Sequence, residues 1–84
     1  MYAGNPKDLG VLIRERRKEK GWSQQDLAES MGATRQWVIA VESGSERAQM
    51  GMVLTALRHL DLSVDIYRET SGDELDELLR MNHE

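Results

Sequence analysis

The sequence predicts an all-α domain of four to five short helices, followed by one β-strand with no partner in its own chain. Three observations carry this expectation. Helix-start residues Asn5, Ser23 and Thr34 alternate with the stop glycines Gly21, Gly32 and Gly44. Between these signals, apolar residues recur at helical spacing. Past residue 60 the period drops to two: Leu62, Val64 and Ile66 alternate with Ser63 and Asp65, the pattern of a half-buried strand. The length of 84 residues suits one domain, near the lower limit for folding alone.

The first helix opens on Asn5 as N-cap, with Pro6 at its first position and Asp8 in its first turn. Leu9, Leu12 and Ile13 supply its apolar stripe, which runs on to Lys20, and Gly21 stops it. The second helix starts from Ser23, which can cap the backbone N–H of Asp26, while Trp22 can staple onto Leu27. Asp26 stands where a capping box usually has Glu or Gln, so its reciprocal half is expected to be weaker. The third helix runs from Arg35 to about Ser43 behind Thr34, with Val38 and Val41 inward. A fourth, from about Gln49 to Leu60, is expected to bury Met50, Val53, Leu54 and Leu57. A last short helix over about 73–81, capped by Ser71, is as compatible with the pattern as a frayed acidic tail.

A strand by itself leaves its backbone N–H and C=O groups unpaired. The economical partner for Leu62, Val64 and Ile66 is the same segment of a second copy across a two-fold axis, which predicts a homodimer. Residues 1–67 then form the folded domain with 62–67 as its dimerising strand, and 68–84 an acidic tail or short helix.

Composition excludes several classes. With no cysteine there are no disulfides and no thiolate metal sites. The longest apolar run falls far short of the ~20 residues that span a bilayer, and Asn5 to Asp8 break up any leader-like segment. A cytoplasmic protein without membrane attachment is expected. His59 and His83 have no paired nucleophile, and no metal spacing or phosphate-binding glycine loop occurs, so neither an enzyme nor a cofactor is expected.

The net charge of −4 is unevenly spread. Residues 1–60 hold nine Lys/Arg against seven Asp/Glu, and residues 61–84 hold two against eight. The acidity is therefore confined to the end of the chain, and the helical part is mildly basic. Charge distribution, not its total, bears on nucleic-acid binding.

The second and third helices, joined through Gly32, make a helix-turn-helix from Ser23 to Ser43. Leu27, Ala28, Met31, Val38 and Val41 face each other inside the pair. Thr34, Arg35, Gln36, Ile39 and Ala40 lie on the opposite face, which in this motif enters the major groove. Arg can grip guanine O6/N7, Gln can grip adenine N6/N7, and Ile39 and Ala40 can meet thymine methyls. The alternative for Arg35 and Gln36 is a merely solvated face. Trp37 is read as packing, and Arg14, Arg16, Lys18 and Lys20 as a solvated face of the first helix.

The run Leu12-Ile13-Arg14, Gly21-Trp22-Ser23-Gln24, Leu27-Ala28, Met31-Gly32, Arg35-Gln36-Trp37-Val38 and Val41-Glu42-Ser43-Gly44 resembles the lambda-repressor-like (XRE) family of DNA-binding domains, over roughly residues 9–60. The resemblance implies that Gln24 binds a backbone phosphate, that Arg17 pairs with Glu42 while lying near the phosphates, and that Ser45 and Arg47 add phosphate contacts. A domain of this kind followed by Leu62 to Tyr67 and an acidic tail is similar to the HipB-like antitoxins. That resemblance implies a dimeric strand lid, a HipA-type kinase toxin as partner, and autoregulation at a palindromic operator. A stand-alone regulator of the same family is the near alternative. A protein-interaction module that binds no DNA is the more distant one, motivated by Leu75, Leu78 and Leu79 within the acidic tail.

Overall fold

The computed structural model describes residues 3–68, which contain four helices: α1 (Pro6–Glu19), α2 (Gln24–Met31), α3 (Arg35–Glu42) and α4 (Met50–His59). The expected last helix over 73–81 lies outside the described residues. Each of the first three helices starts on a side-chain cap. Asn5 Oδ1 accepts from Asp8 N–H at 2.8 Å, Ser23 Oγ from Asp26 N–H at 3.0 Å, and Thr34 Oγ1 from Trp37 N–H at 3.1 Å. The reciprocal half of the α2 capping box also forms, and is no longer than the first: Ser23 N–H donates to Asp26 Oδ2 at 2.8 Å. Those bonds from Ser23 hold the exposed Asp26 carboxyl below its ordinary pKa.

α3 packs against both α1 and α2, and α4 closes on α2. Ile13, Leu27, Ala28, Val38, Val41, Leu57 and Leu60 form the buried centre, with Leu9, Trp22, Met31, Trp37, Val53 and Leu62 around it. Two glycines permit this packing. Gly32 turns the chain between α2 and α3 at φ 69, where a side chain would be strained. Gly10 lets α1 lie directly on the C-terminal end of α3: a Cβ there would come within 2.7 Å of the Glu42 carbonyl oxygen.

α4 corrects the sequence expectation. Val53, Ala56, Leu57 and Leu60 turn inward, whereas Met50 is 76% and Leu54 44% exposed. Both faces satisfy helical spacing. The face that packs is the narrow one that α2 can cover, and Met50 lies in the first turn at its edge. α4 ends without a glycine: Asp61 takes a left-handed φ of 57, and Leu62 N–H returns to the Leu57 carbonyl at 2.8 Å. Aspartate tolerates this region better than most side chains.

The segment expected to be a strand has no ladder in the single chain. Leu62 packs on the core, while Val64, Ile66 and Tyr67 are exposed, the last two at 93% and 81%. No strand occurs among the described residues, and the alternation of Leu62, Val64 and Ile66 has no pairing segment there.

Candidate nucleic-acid interface

Packing of α3 across α1 and α2 leaves an open concavity of about 690 Å³ where the three helices meet. Its floor is an ion pair. Arg17 Nε donates to Glu42 Oε2 at 2.7 Å and Nη2 to Glu42 Oε1 at 3.0 Å, while Nη1 donates to the Trp22 carbonyl at 2.8 Å. The two side chains are 8% and 4% exposed. Glu42 Oε1 also accepts from Gln24 Nε2 at 3.3 Å, which orients the Gln24 amide at the mouth of the site.

This arrangement confirms the Arg17–Glu42 pairing. Each guanidinium nitrogen is engaged, with three of the five N–H groups used, and the side chain is buried, so Arg17 works as a clamp between α1 and α3. Gln24 is half-buried and retains a second amide hydrogen for an anion.

Thr34, Arg35, Gln36, Ile39 and Ala40 are all exposed, as the spacing required. They form two rows. Arg35 and Ile39, with Ser43 one turn on, line the concavity together with Gln24 and Gln25. Gln36 and Ala40 lie one residue further round the helix and outside it. Thr34 spends one oxygen lone pair on its cap and can still donate through its hydroxyl. Ser45 and Arg47 stand apart from the concavity, in the α3–α4 loop, where Arg47 N–H donates to Ser45 Oγ at 3.2 Å. Arg47 is exposed, and Ser45 is half-buried as the turn residue.

Sequence reasoning missed Arg14, Gln25 and Ser43, which line the same concavity. Arg14 lies one turn before Arg17 on the same side of α1, and that spacing was the available signal. Around the neutralised floor, Arg14 and Arg35 form no ion pair among the described residues. The site is thus a cationic hollow with an apolar contact, Ile39, and amide donors beside it. No cluster of metal-ligating side chains occurs among the described residues, nor is any of their helices long and apolar enough to cross a membrane.

A short helix fixed by its caps, held by a second helix and presenting arginine and amide groups outward, defines a helix-turn-helix of the kind that enters a DNA groove. The comparisons with known proteins agree. The family model described as "Helix-turn-helix domain" matches residues 8–78. The HTH-type transcriptional regulator y4mF of Sinorhizobium fredii is 39% identical over 61 residues, covering 73% of this chain and 80% of that protein. An HTH-type transcriptional regulator of Methanothermobacter thermautotrophicus is 61% identical over 36 residues, covering 43% of this chain and 52% of the other. The chain belongs to the helix-turn-helix family of DNA-binding transcriptional regulators. Among solved structures, a chain of a HipA-HipB-O2-O3 complex and one of a HipB-O4 20mer complex each match with a TM-score of 0.75 at 20% identity. Each match covers 83% of this chain and 99% of the other, so the fold is that of HipB.

Proposed function

We propose that the chain is a repressor that binds a palindromic operator as a homodimer and serves as the antitoxin of a toxin–antitoxin pair. The observation that carries the DNA-reading part is the row Arg35–Ile39 beside the oriented Gln24, over a floor whose own charges cancel. Thr34, Arg35, Gln36, Ile39 and Ala40 read base edges, whereas Gln24, Ser45 and Arg47 hold the phosphates. Arg17, buried as the clamp between α1 and α3, belongs to neither set. Two copies pair through Leu62, Val64 and Ile66, where the exposed Val64 and Ile66 gain a partner, and the pairing sets the half-sites about one helical turn apart or a multiple of it.

The antitoxin reading is supported by the likeness in fold to HipB from a complex with HipA and DNA. A HipA-type kinase is the corresponding partner, and the operator of the pair's own operon the corresponding site. A stand-alone regulator is the second reading, supported by the two relatives described as transcriptional regulators. Neither reading requires catalysis or a cofactor, and both place the protein with the DNA in the cytoplasm.

Selection of bound duplexes from a random pool tests the proposal. The wild type should recover a two-fold symmetric motif. Arg35→Ala should lose preference at one position in each half-site, at a cost of ~1–3 kcal/mol. An asymmetric or absent motif overturns the repressor reading, and an unchanged motif in the variant removes Arg35 from base contact. Co-purification with the product of the adjacent reading frame separates the antitoxin from the stand-alone regulator.

A further inference from the structure

The cations of α1 and its C-cap fall into two sets. Arg16 is tied to the Leu60 carbonyl at 2.8 Å and to Glu19 at 3.1 Å, Arg17 to Glu42, and Lys20 to Asp61 at 2.7 Å and over the Trp22 ring at 4.7 Å. Lys7, Arg14 and Lys18 are exposed and make neither an ion pair nor a side-chain hydrogen bond among the described residues.

These three are not scattered. At 100° per residue, Lys7, Arg14 and Lys18 fall within an arc of about 40° and extend over about 16 Å of helix. Asp8, Glu15 and Glu19 lie about 80–120° round the helix from Lys7, so acids and free cations occupy separate faces. The stripe also runs along the recognition surface. At one end the Lys7 backbone abuts the loop after α3, where a Cβ on Gly44 would lie 2.9 Å from Lys7 Cα. Further along, Arg14 lines the concavity with Arg35 and Ile39.

We infer that the Lys7–Arg14–Lys18 face of α1 is a phosphate rail, which grips the sugar-phosphate backbone beside the base pairs that α3 reads. The inference rests on the DNA-binding reading and extends it to a helix outside the helix-turn-helix pair. Duplex DNA carries one charge per ~3.4 Å of axis on each strand, so a rail of this length meets several successive phosphates. The spacing suits a continuous backbone better than a single small anion. Arg14 adjoins the recognition surface, Lys7 lies against the loop after α3, and Lys18 forms the other end.

The test compares wild type, Lys7→Ala, Arg14→Ala, the double variant and Arg58→Ala, a control on exposed α4. Binding is measured across a salt series to a duplex of the chain's own upstream DNA and to a scrambled duplex. Each rail substitution should weaken binding to both duplexes by the same factor and flatten the log–log salt slope by ~0.9 per lost phosphate contact. Arg14→Lys should restore the slope, and Arg58→Ala should leave it unchanged. A double variant with wild-type helicity and an unchanged slope overturns the rail. A loss confined to the upstream duplex makes Arg14 a base reader, which also overturns it. If the wild type shows no selectivity between duplexes, the repressor reading fails, while the slopes on the scrambled duplex still decide the rail.

Discussion

Replacing Glu42 by alanine should strip the counter-charge from a guanidinium that cannot reach water. Arg17 donates twice to Glu42 and once to the Trp22 carbonyl, with side chains 8% and 4% exposed. Breaking a buried pair from one side costs ~3–5 kcal/mol, because the remaining ion stays desolvated. An exposed pair would cost at most ~1 kcal/mol. At ~0.05–0.15 kcal/mol per residue, a chain of 84 residues has about 4–13 kcal/mol in total. Glu42→Ala therefore removes about a quarter or more of the stability. In urea, with a slope near ~1 kcal/mol/M for so small a chain, the midpoint followed by far-UV circular dichroism should fall by ~3 M or more. Arg17→Met combined with Glu42→Leu removes both charges and should recover to within ~1 kcal/mol of wild type or better. A loss below ~1 kcal/mol in Glu42→Ala, or a double variant no more stable than that single one, would mean that the Arg17–Glu42 pair is not desolvated in the fold.

Gly10→Ala sets two effects against each other. Helix propensity favours Ala by up to ~1 kcal/mol, but its Cβ collides with the end of α3 at an overpacking cost of ~1–3 kcal/mol; net stabilisation in a urea titration would mean that α1 does not lie so close. Ser23→Ala should cost ~1 kcal/mol through the α2 cap, read in the same titration. The lowered pKa of Asp26 stabilises the fold at neutral pH, and that contribution is lost as pH falls through the depressed folded value; Asp26→Asn should flatten the acid limb of the stability–pH curve, and Asp61→Asn, whose carboxyl is lowered by Lys20, should do likewise. Val64→Pro should give monomers by sedimentation, and a dimer of unchanged stability would place the interface elsewhere.

What could be read from the sequence is what local chemistry decides. The three caps and the turn at Gly32 depend on residues within one helical turn, and the structure forms each of them. The outward face of α3 was legible because Val38 and Val41 had to turn in. What escaped depends on a partner distant in the chain. Met50 and Leu54 satisfy helical spacing as well as Val53 and Leu57 do, and only the position of α2 selects between them. The burial of Arg17 against Glu42 and the Trp22 carbonyl is likewise not local, since those partners come from α3 and the α1–α2 turn. Arg14 was passed over as solvated for the same reason: its value lies in the concavity that α3 creates. The strand pattern at Leu62, Val64 and Ile66 is legible in the sequence, but no segment pairs with it among the described residues.

In the proposed function, the face formed by Arg35, Ile39 and Gln24 reads DNA sequence while surrounding cations hold the backbone. The most direct test is binding of the purified protein to its own upstream DNA across a salt series, with a scrambled duplex alongside. Sequence reading by that face should give dimer-stoichiometric binding that prefers the upstream duplex at every salt concentration, with parallel salt slopes reporting shared phosphate contacts. Equal affinity for the two duplexes at low salt would contradict it.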